Sequence, residues 1–366
     1  MALALKASIM NRSRAPRSLL SALLAAGALL LGGCGGKPAG SGEHEVAAAA
    51  KGSTLARIRA RGTLNCAVHT GQLGMSYLDQ RGRWQGFFVD YCRALAAAVL
   101  GDARKVRFMP VASNKRFTIV QTGEADVLSR TTTWTLTRDT DLGVNFVGIM
   151  YYDGQSFLVP KRSGVRLPAD LDGASICITK GTTSELNTAE YFERKGLRFQ
   201  SVVFENPEEA KLAFFAGRCD AMTTDAFTLT VIRLADTATP GDYVVLPERL
   251  TKEPVGPVVR SDDEQWFEIN KWVLNALFAA EEMGVTRENA ARMRSTSPDP
   301  EVRKMLGGLP GFGKSLGLDD DWAYRAIRET GNYGEIFDRH ITPLGVERGQ
   351  NRLYRDGGLI FPLPMR

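Results

Sequence analysis

The chain reads as an α/β protein with mostly parallel sheets, built as two similar lobes. Three observations carry that reading. Strand-like and helix-like segments alternate from about residue 62 to 224, the pattern of parallel sheets joined by helical crossovers. Two stretches, "FTIVQTGEADVLSRT" and "LAFFAGRCDAMTTD", repeat one order: apolar helix, Gly, two residues, Asp, two apolar residues, then Ser or Thr. Gly123 and Asp126 thereby answer Gly217 and Asp220. Finally, two extended segments punctuated by Gly or Pro, "YYDGQSFLV" (151–159) and "KEPVGPVVR" (252–260), flank the second series.

Residues 1–33 read as a targeting segment. Lys6, Arg12, Arg14 and Arg17 precede "LLSALLAAGALLLGG", an apolar run too short to span a membrane comfortably. Its end, "LGGC", resembles the lipobox of bacterial lipoproteins, which implies cleavage before Cys34 and acylation of that residue. The net charge of +5 comes largely from this segment: taking its four basic residues from 46 leaves 42, against 41 acidic. Nucleic-acid binding, which needs a basic face, is not expected. Residues 34–53 are small and polar without periodicity, a flexible tether with a reach of roughly 24 Å.

The folded part opens with a helix, "TLARIRARG", and a strand, "TLNCAV". "WQGFFVDYCRALAAAVLG" turns from strand to helix, with Val89, Cys92, Ala96 and Val99 on one face. A strand over 106–111, a helix over 114–122 and a strand over 126–131 follow. The second series runs "ASICIT", a helix over 184–195, "QSVVFE", a helix over 207–216 and "CDAMTT". The last third is helical, in "DEQWFEINKWVLNALFAAEEMG" and "DDDWAYRAIRETGNYGEIFDRH". If both extended segments cross between lobes, residues 156–253 are an inserted second lobe, and 54–155 with 254–366 close as the first. Two such crossings make a hinge beside a cleft.

Four cysteines remain besides Cys34: Cys66, Cys92, Cys177 and Cys219. In an exported protein they read as two disulfides, with three pairings open. Pairing Cys66–Cys92 and Cys177–Cys219 would close loops of about 25 to 45 residues, each stabilising by roughly 3–4 kcal/mol. Their spacing is not that of metal ligands, and His44, His69 and His340 add no motif, so no metal or cofactor is expected.

Three places could hold a charged ligand. In "TTTWTLTRD" (131–139), Arg138 follows hydroxyl residues at a strand end, where a guanidinium fork could take a carboxylate; the plainer reading is a pair with Asp139 or Asp141. In "KGTTSELNTAEYF", Thr182 and Glu185 have capping-box spacing, so a helix starts there and turns its N–H groups towards an anion; a capped helix alone would look the same. Asp225, in "MTTDAF", ends a strand and suits an ammonium group, or is simply a turn residue. "GLPGFGKS" (308–315) matches a phosphate-loop pattern only formally. A helix-like segment precedes it, Pro310 removes a donor, and the next helix starts near Asp319.

Taken together, "GRWQGFFVDYCRALAAAV", "RFTIVQTGEADVLSRTTTWTLTRDT", "ICITKGTTSELN", "GRCDAMTTD", "KEPVGPVVR" and "GNYGEIFDRH" resemble the periplasmic amino-acid-binding proteins of ABC importers, above all the general L-amino-acid-binding group. The resemblance implies the two-lobed type II periplasmic binding protein fold, with a cleft between lobes joined by two hinge strands. It implies that Arg138, with Thr133 and Thr135, holds an α-carboxylate, that Gly181, Thr182 and Thr183 donate to it from the other lobe, and that Asp225 receives the α-ammonium. It also favours the local disulfides, an ABC permease as partner and binding rather than catalysis; together with the lipobox-like "LGGC" it implies a lipid-anchored place on the periplasmic face of a membrane. The chain departs from the family pattern at Phe88, at His69 and Thr70, at Leu73 and at Ala226, the last four near the side-chain pocket. Two rivals share the fold: a dehydratase of an arogenate- or prephenate-like acid, and a sensory binding protein.

Overall fold

Two five-stranded sheets share one plan in the computed structural model, which describes residues 53–365. The expected signal peptide, Cys34 and nearly all of the tether lie outside the described residues. In the first sheet the order is Val106–Pro110, Leu64–Val68, Val127–Leu128, Val258–Arg260 and Val144–Phe146. In the second it is Gln200–Phe204, Ser175–Thr179, Ala221–Asp225, Gln155–Pro160 and Tyr243–Val245. The first three strands of each run parallel, and the fourth runs antiparallel to both neighbours. Leu64–Val68 is buried along its length and Ser175–Thr179 from Ile176 onward, as "LNCAV" and "SICIT" suggest, because helices cover both faces of such sheets.

The chain crosses between sheets twice. Tyr151–Asp153 and Glu253–Val255 pair antiparallel, with Asp153 opposite Glu253, and each crossing leads directly into an antiparallel strand of the sheet it enters. Close approach makes glycine necessary here. A Cβ on Gly256 would sit 1.9 Å from the Gly148 carbonyl oxygen, and one on Gly154 would lie 2.8 Å from that of Thr251.

The C-terminal helices Glu264–Glu282, Trp322–Thr330 and Tyr333–His340 bury Trp266, Trp322, Tyr333 and Phe337 against the helix Phe87–Leu100 in the first lobe's core. Phe88 belongs to that core, and Gly86 takes the N-cap position without a side-chain bond. Both local disulfides form, Cys66–Cys92 and Cys177–Cys219.

Three local expectations are corrected. The strand over 126–131 shrinks to Val127–Leu128: the Ser129 N–H still donates to the Ala67 carbonyl, but its hydroxyl turns to the Phe88 carbonyl and the Arg130 guanidinium to that of Val111, and the regular strand ends there. The helix over 114–122 becomes one 3₁₀ turn, Ser113–Lys115, and a short helix, Thr118–Gln121, whose Thr, Ile and Val are weak helix formers. In "GLPGFGKS" a four-residue helix, Gly313–Leu316, starts earlier than expected, and the Gly313 N–H is held by Asp320.

Candidate ligand-binding site

Arg116, Arg130, Arg138, Thr133, Thr182, Thr183 and Asp225 converge on one cavity of about 60 Å³ between the two sheets. The lobes touch around it. Gln72 Nε2 donates to Thr228 Oγ1 at 2.7 Å, and Arg116 Nη2 reaches the Gly181 carbonyl at 3.3 Å.

The first lobe contributes cations. Arg138 sits in the first turn of the helix Leu136–Asp141, and its Nη1 donates to the Thr133 carbonyl at 2.9 Å. Arg116 and Arg138 both lie against the Phe117 ring, at 5.1 and 5.5 Å from its centroid. Arg130 donates to the Val111 carbonyl and to Ser113 Oγ, which fixes its orientation. Burial pulls all three guanidinium groups below their ordinary pKa, Arg130 to about 10. Among the described residues none of the three is ion-paired with a carboxylate, and the buried Nε atoms of Arg116 and Arg130 have no hydrogen-bond partner. Buried donors in that state are expensive unless something anionic meets them.

The second lobe contributes a helix start and an acid. The helix Thr183–Lys195 begins where expected, but the capping box does not form. Thr182 makes no cap bond and donates instead to the Thr179 carbonyl, while Glu185 accepts from the Gly181 N–H. The first-turn amides therefore lack a side-chain cap and point a positive helix end at the cavity. The Thr183 hydroxyl already donates to Glu253, so its N–H is what it can offer an anion. Gln155, fully buried, donates to the Ser184 carbonyl, Thr188 and Thr223, tying this helix to the strand that ends at Asp225.

Asp225 has its carboxyl pushed well above the usual range, by burial first and then by Asp153 and Glu253 nearby. Asp153 itself is raised to about 7 by burial, against hydrogen bonds from the Gly154 and Phe227 N–H groups that favour its ionised form. His69 also lines the cavity, and its imidazole is held well below its ordinary pKa by burial and by Arg130, with Nδ1 accepting from the Gly71 N–H.

Of the residues expected in the site, Thr133, Arg138, Thr182, Thr183 and Asp225 line the cavity; Thr135 and Gly181 do not. Thr135 is the N-cap of the helix Leu136–Asp141, its oxygen accepting from the Arg138 N–H, and Gly181 is turned away with its carbonyl on Arg116. Sequence reading missed Arg116, Arg130 and Gln155. The internal repeat held a signal for one of them, since it sets Arg130 level with Thr224, next to Asp225.

The profile of bacterial extracellular solute-binding proteins, family 3, matches residues 64–293. The general L-amino acid-binding periplasmic protein AapJ of Rhizobium johnstonii is 46% identical over 325 residues, covering 87% of this chain and 95% of its own length. The glutamate/glutamine/aspartate/asparagine-binding protein BztA of Rhodobacter capsulatus is 45% identical over 324 residues, 88% and 96%. A periplasmic binding protein of an ABC transporter from Brucella ovis, solved with glutathione bound, superposes with a TM-score of 0.83 at 46% identity, covering 86% of this chain and all of that one. With two matching sheets, paired crossing strands and a cavity between them, the chain belongs to the family 3 extracellular solute-binding proteins, the periplasmic binding components of ABC transport systems.

Proposed function

We propose that this protein captures L-amino acids of broad, mainly polar range in the interlobe cleft and delivers them to an ABC permease, tethered to the membrane through an acylated Cys34. Residues 54–155 and 254–366 act as lobe 1, and 156–253 as lobe 2. Arg138 takes the α-carboxylate with the Thr183 end of the second-lobe helix, and Asp225 takes the α-ammonium. Thr133 holds Arg138 in place through its carbonyl; Thr135, Gly181 and Thr182 shape the two termini that frame the carboxylate.

One observation carries this reading: Arg138 and Asp225 face one cavity from opposite lobes. A zwitterion meets both only when the cleft is closed, so its differential affinity for that state drives closure. Water exclusion then strengthens both contacts. The additional arginines, Arg116 and Arg130, favour side chains ending in a carboxylate or amide, in keeping with the acids and amides in the name of the Rhodobacter relative.

A thermal-shift screen of the mature chain against the twenty L-amino acids and several D-forms tests it. A ligand at a hundred times its Kd adds about 2.7 kcal/mol of stability. Shifts with acidic and amide L-forms, and none with D-forms, are expected; a flat profile from folded, ligand-stripped protein would sink the reading. Replacing Cys34 with Ser should release the protein from membranes into the soluble fraction. A second reading draws on Asp225: a carboxyl pushed well above its ordinary range by burial, beside a carboxylate socket, is also what a dehydratase needs as a general acid. Turnover of arogenate or prephenate would decide for it.

A further inference from the structure

The ligand cavity does not end at Asp225. A second cavity, of about 200 Å³, shares His69, Pro207, Thr228 and Ile232 with the first. Gln72 stands at the boundary. Its amide accepts from Thr131, which lines the first cavity, and donates to Thr228, which lines both. The partition thus combines polar side chains, Gln72, Thr228 and His69, with the apolar Pro207 and Ile232. Beyond it the second chamber is walled by Leu73, Val231 and Ile232 and carries Lys211, two of whose three donors are taken by Glu208 at 2.7 Å and Asp236 at 3.2 Å.

Size separates the two chambers. At about 10–15 Å³ per water, the first seats roughly four to six water-sized groups, about an amino-acid head and little more. Any longer arm has to leave it, and the shared wall opens towards the second chamber. Building on the amino-acid reading above, we infer that the second chamber seats the outer part of extended ligands, and that the class it admits is L-amino acids lengthened through a side-chain amide, as in γ-L-glutamyl peptides. An amide at the partition finds donors and acceptors in Gln72 and Thr228, and a terminal carboxylate finds the third Lys211 donor. A γ-linked peptide keeps its α-carboxylate and α-ammonium on one carbon for Arg138 and Asp225. An α-linked peptide separates the two groups and is refused.

The test is calorimetric titration of the intact mature protein with L-alanine, L-glutamine, γ-L-glutamylglycine and α-L-glutamylglycine. All but the last should bind. Ala235, exposed on the rim of the second chamber and outside the first, is the site for a block. Ala235→Trp should weaken γ-L-glutamylglycine at least about tenfold while L-alanine stays within about threefold. Lys211→Ala should give a smaller loss confined to the γ-linked peptide. If wild-type protein binds the amino acids but not γ-L-glutamylglycine, or if Ala235→Trp leaves the peptide's affinity unchanged or weakens all ligands equally, the two-chamber inference is overturned and the amino-acid reading stands. Silence towards L-alanine and L-glutamine as well overturns that reading itself.

Discussion

Asp126 in the first lobe and Asp220 in the second brace the same strand in the same way. Asp126 donates its N–H to the Asn65 carbonyl and accepts the Asn65 N–H at 2.7 Å; Asp220 does both to Ser175, at 2.8 Å. Counting forward from each, the chain reaches the cavity at the same level, yet with opposite chemistry. The first lobe arrives with Arg130 and Thr131, the second with Thr224 and Asp225. A repeated scaffold has placed two strand ends face to face, and the residues at those ends have been free to diverge. With the cations in one lobe and the carboxylate in the other, the proposed reading makes a dipolar ligand the bridge between them and couples binding to closure.

Removing one side of that bridge tests it most severely. Arg138→Ala should weaken amino-acid binding by about a hundredfold or more, as expected for one partner of a desolvated charge pair. Circular dichroism should be unchanged, because Arg138 lies at the surface of its lobe and not in a core. Full affinity in this variant would mean that Arg116 or Arg130 holds the carboxylate instead. Asp225→Asn should cost less, about ten- to a hundredfold, since the amide oxygen still accepts from an ammonium. It should also change the pH profile. Burial and the neighbouring Asp153 and Glu253 push the Asp225 carboxyl well above its ordinary range, and on the proposed reading its ionised form pairs with the ammonium. Wild-type affinity should therefore rise as pH is raised, with release of a proton, and the Asn variant should lack that dependence.

Asp153 predicts a stability effect of smaller size. Its native pKa, about 7, lies above the ordinary 3.8, so between those values the native state holds a proton that the unfolded chain has lost. Its contribution is present in full below about pH 4 and is lost as pH rises through 7. In the ligand-free protein, unfolding free energy from denaturant titration should fall with pH there, by at most about 1.4 kcal/mol per unit. Asp153→Asn should flatten that slope; an unchanged slope would show that the charge opposite Glu253 does not titrate in this window.

How much of this was legible beforehand follows the same division. The alternation of strands and helices, the Asp126–Asp220 repeat and the crossing segments are local patterns, and each corresponds to an element of the two sheets. Arg138, Thr183 and Asp225 stand at element ends, where a sequence marks its own turns. Arg116 and Arg130 carry no such mark. One lies just past an irregular turn that read as part of a longer helix, the other beyond a two-residue strand that read as six. What makes them part of the cavity is burial without a counter-charge, which only the packing of both lobes creates. Gln155 escaped for the same reason, its partners being 29 to 68 residues away in sequence.

The smallest expected effect compares the two threonines that start the helices on either side of the cavity. Thr135 caps the helix Leu136–Asp141 with its side chain, whereas Thr182 stands at the same position of Thr183–Lys195 and does not. If the first lobe uses its helix start for structure and the second keeps its own for a ligand, the two alanine variants should part company. Thr135→Ala should cost about 1 kcal/mol of stability, the ordinary worth of an N-cap, with affinity within about threefold of wild type. Thr182→Ala removes only the bond to the Thr179 carbonyl, at 2.7 Å, and should cost less stability. Its effect should appear instead in affinity, because that bond holds the chain in the extended turn that aims the first-turn amides at the cavity. Denaturation and titration of the two variants side by side settle the matter. A Thr135→Ala protein of full stability and poor affinity would place Thr135 on the ligand after all, and would erase the difference between the two helix starts.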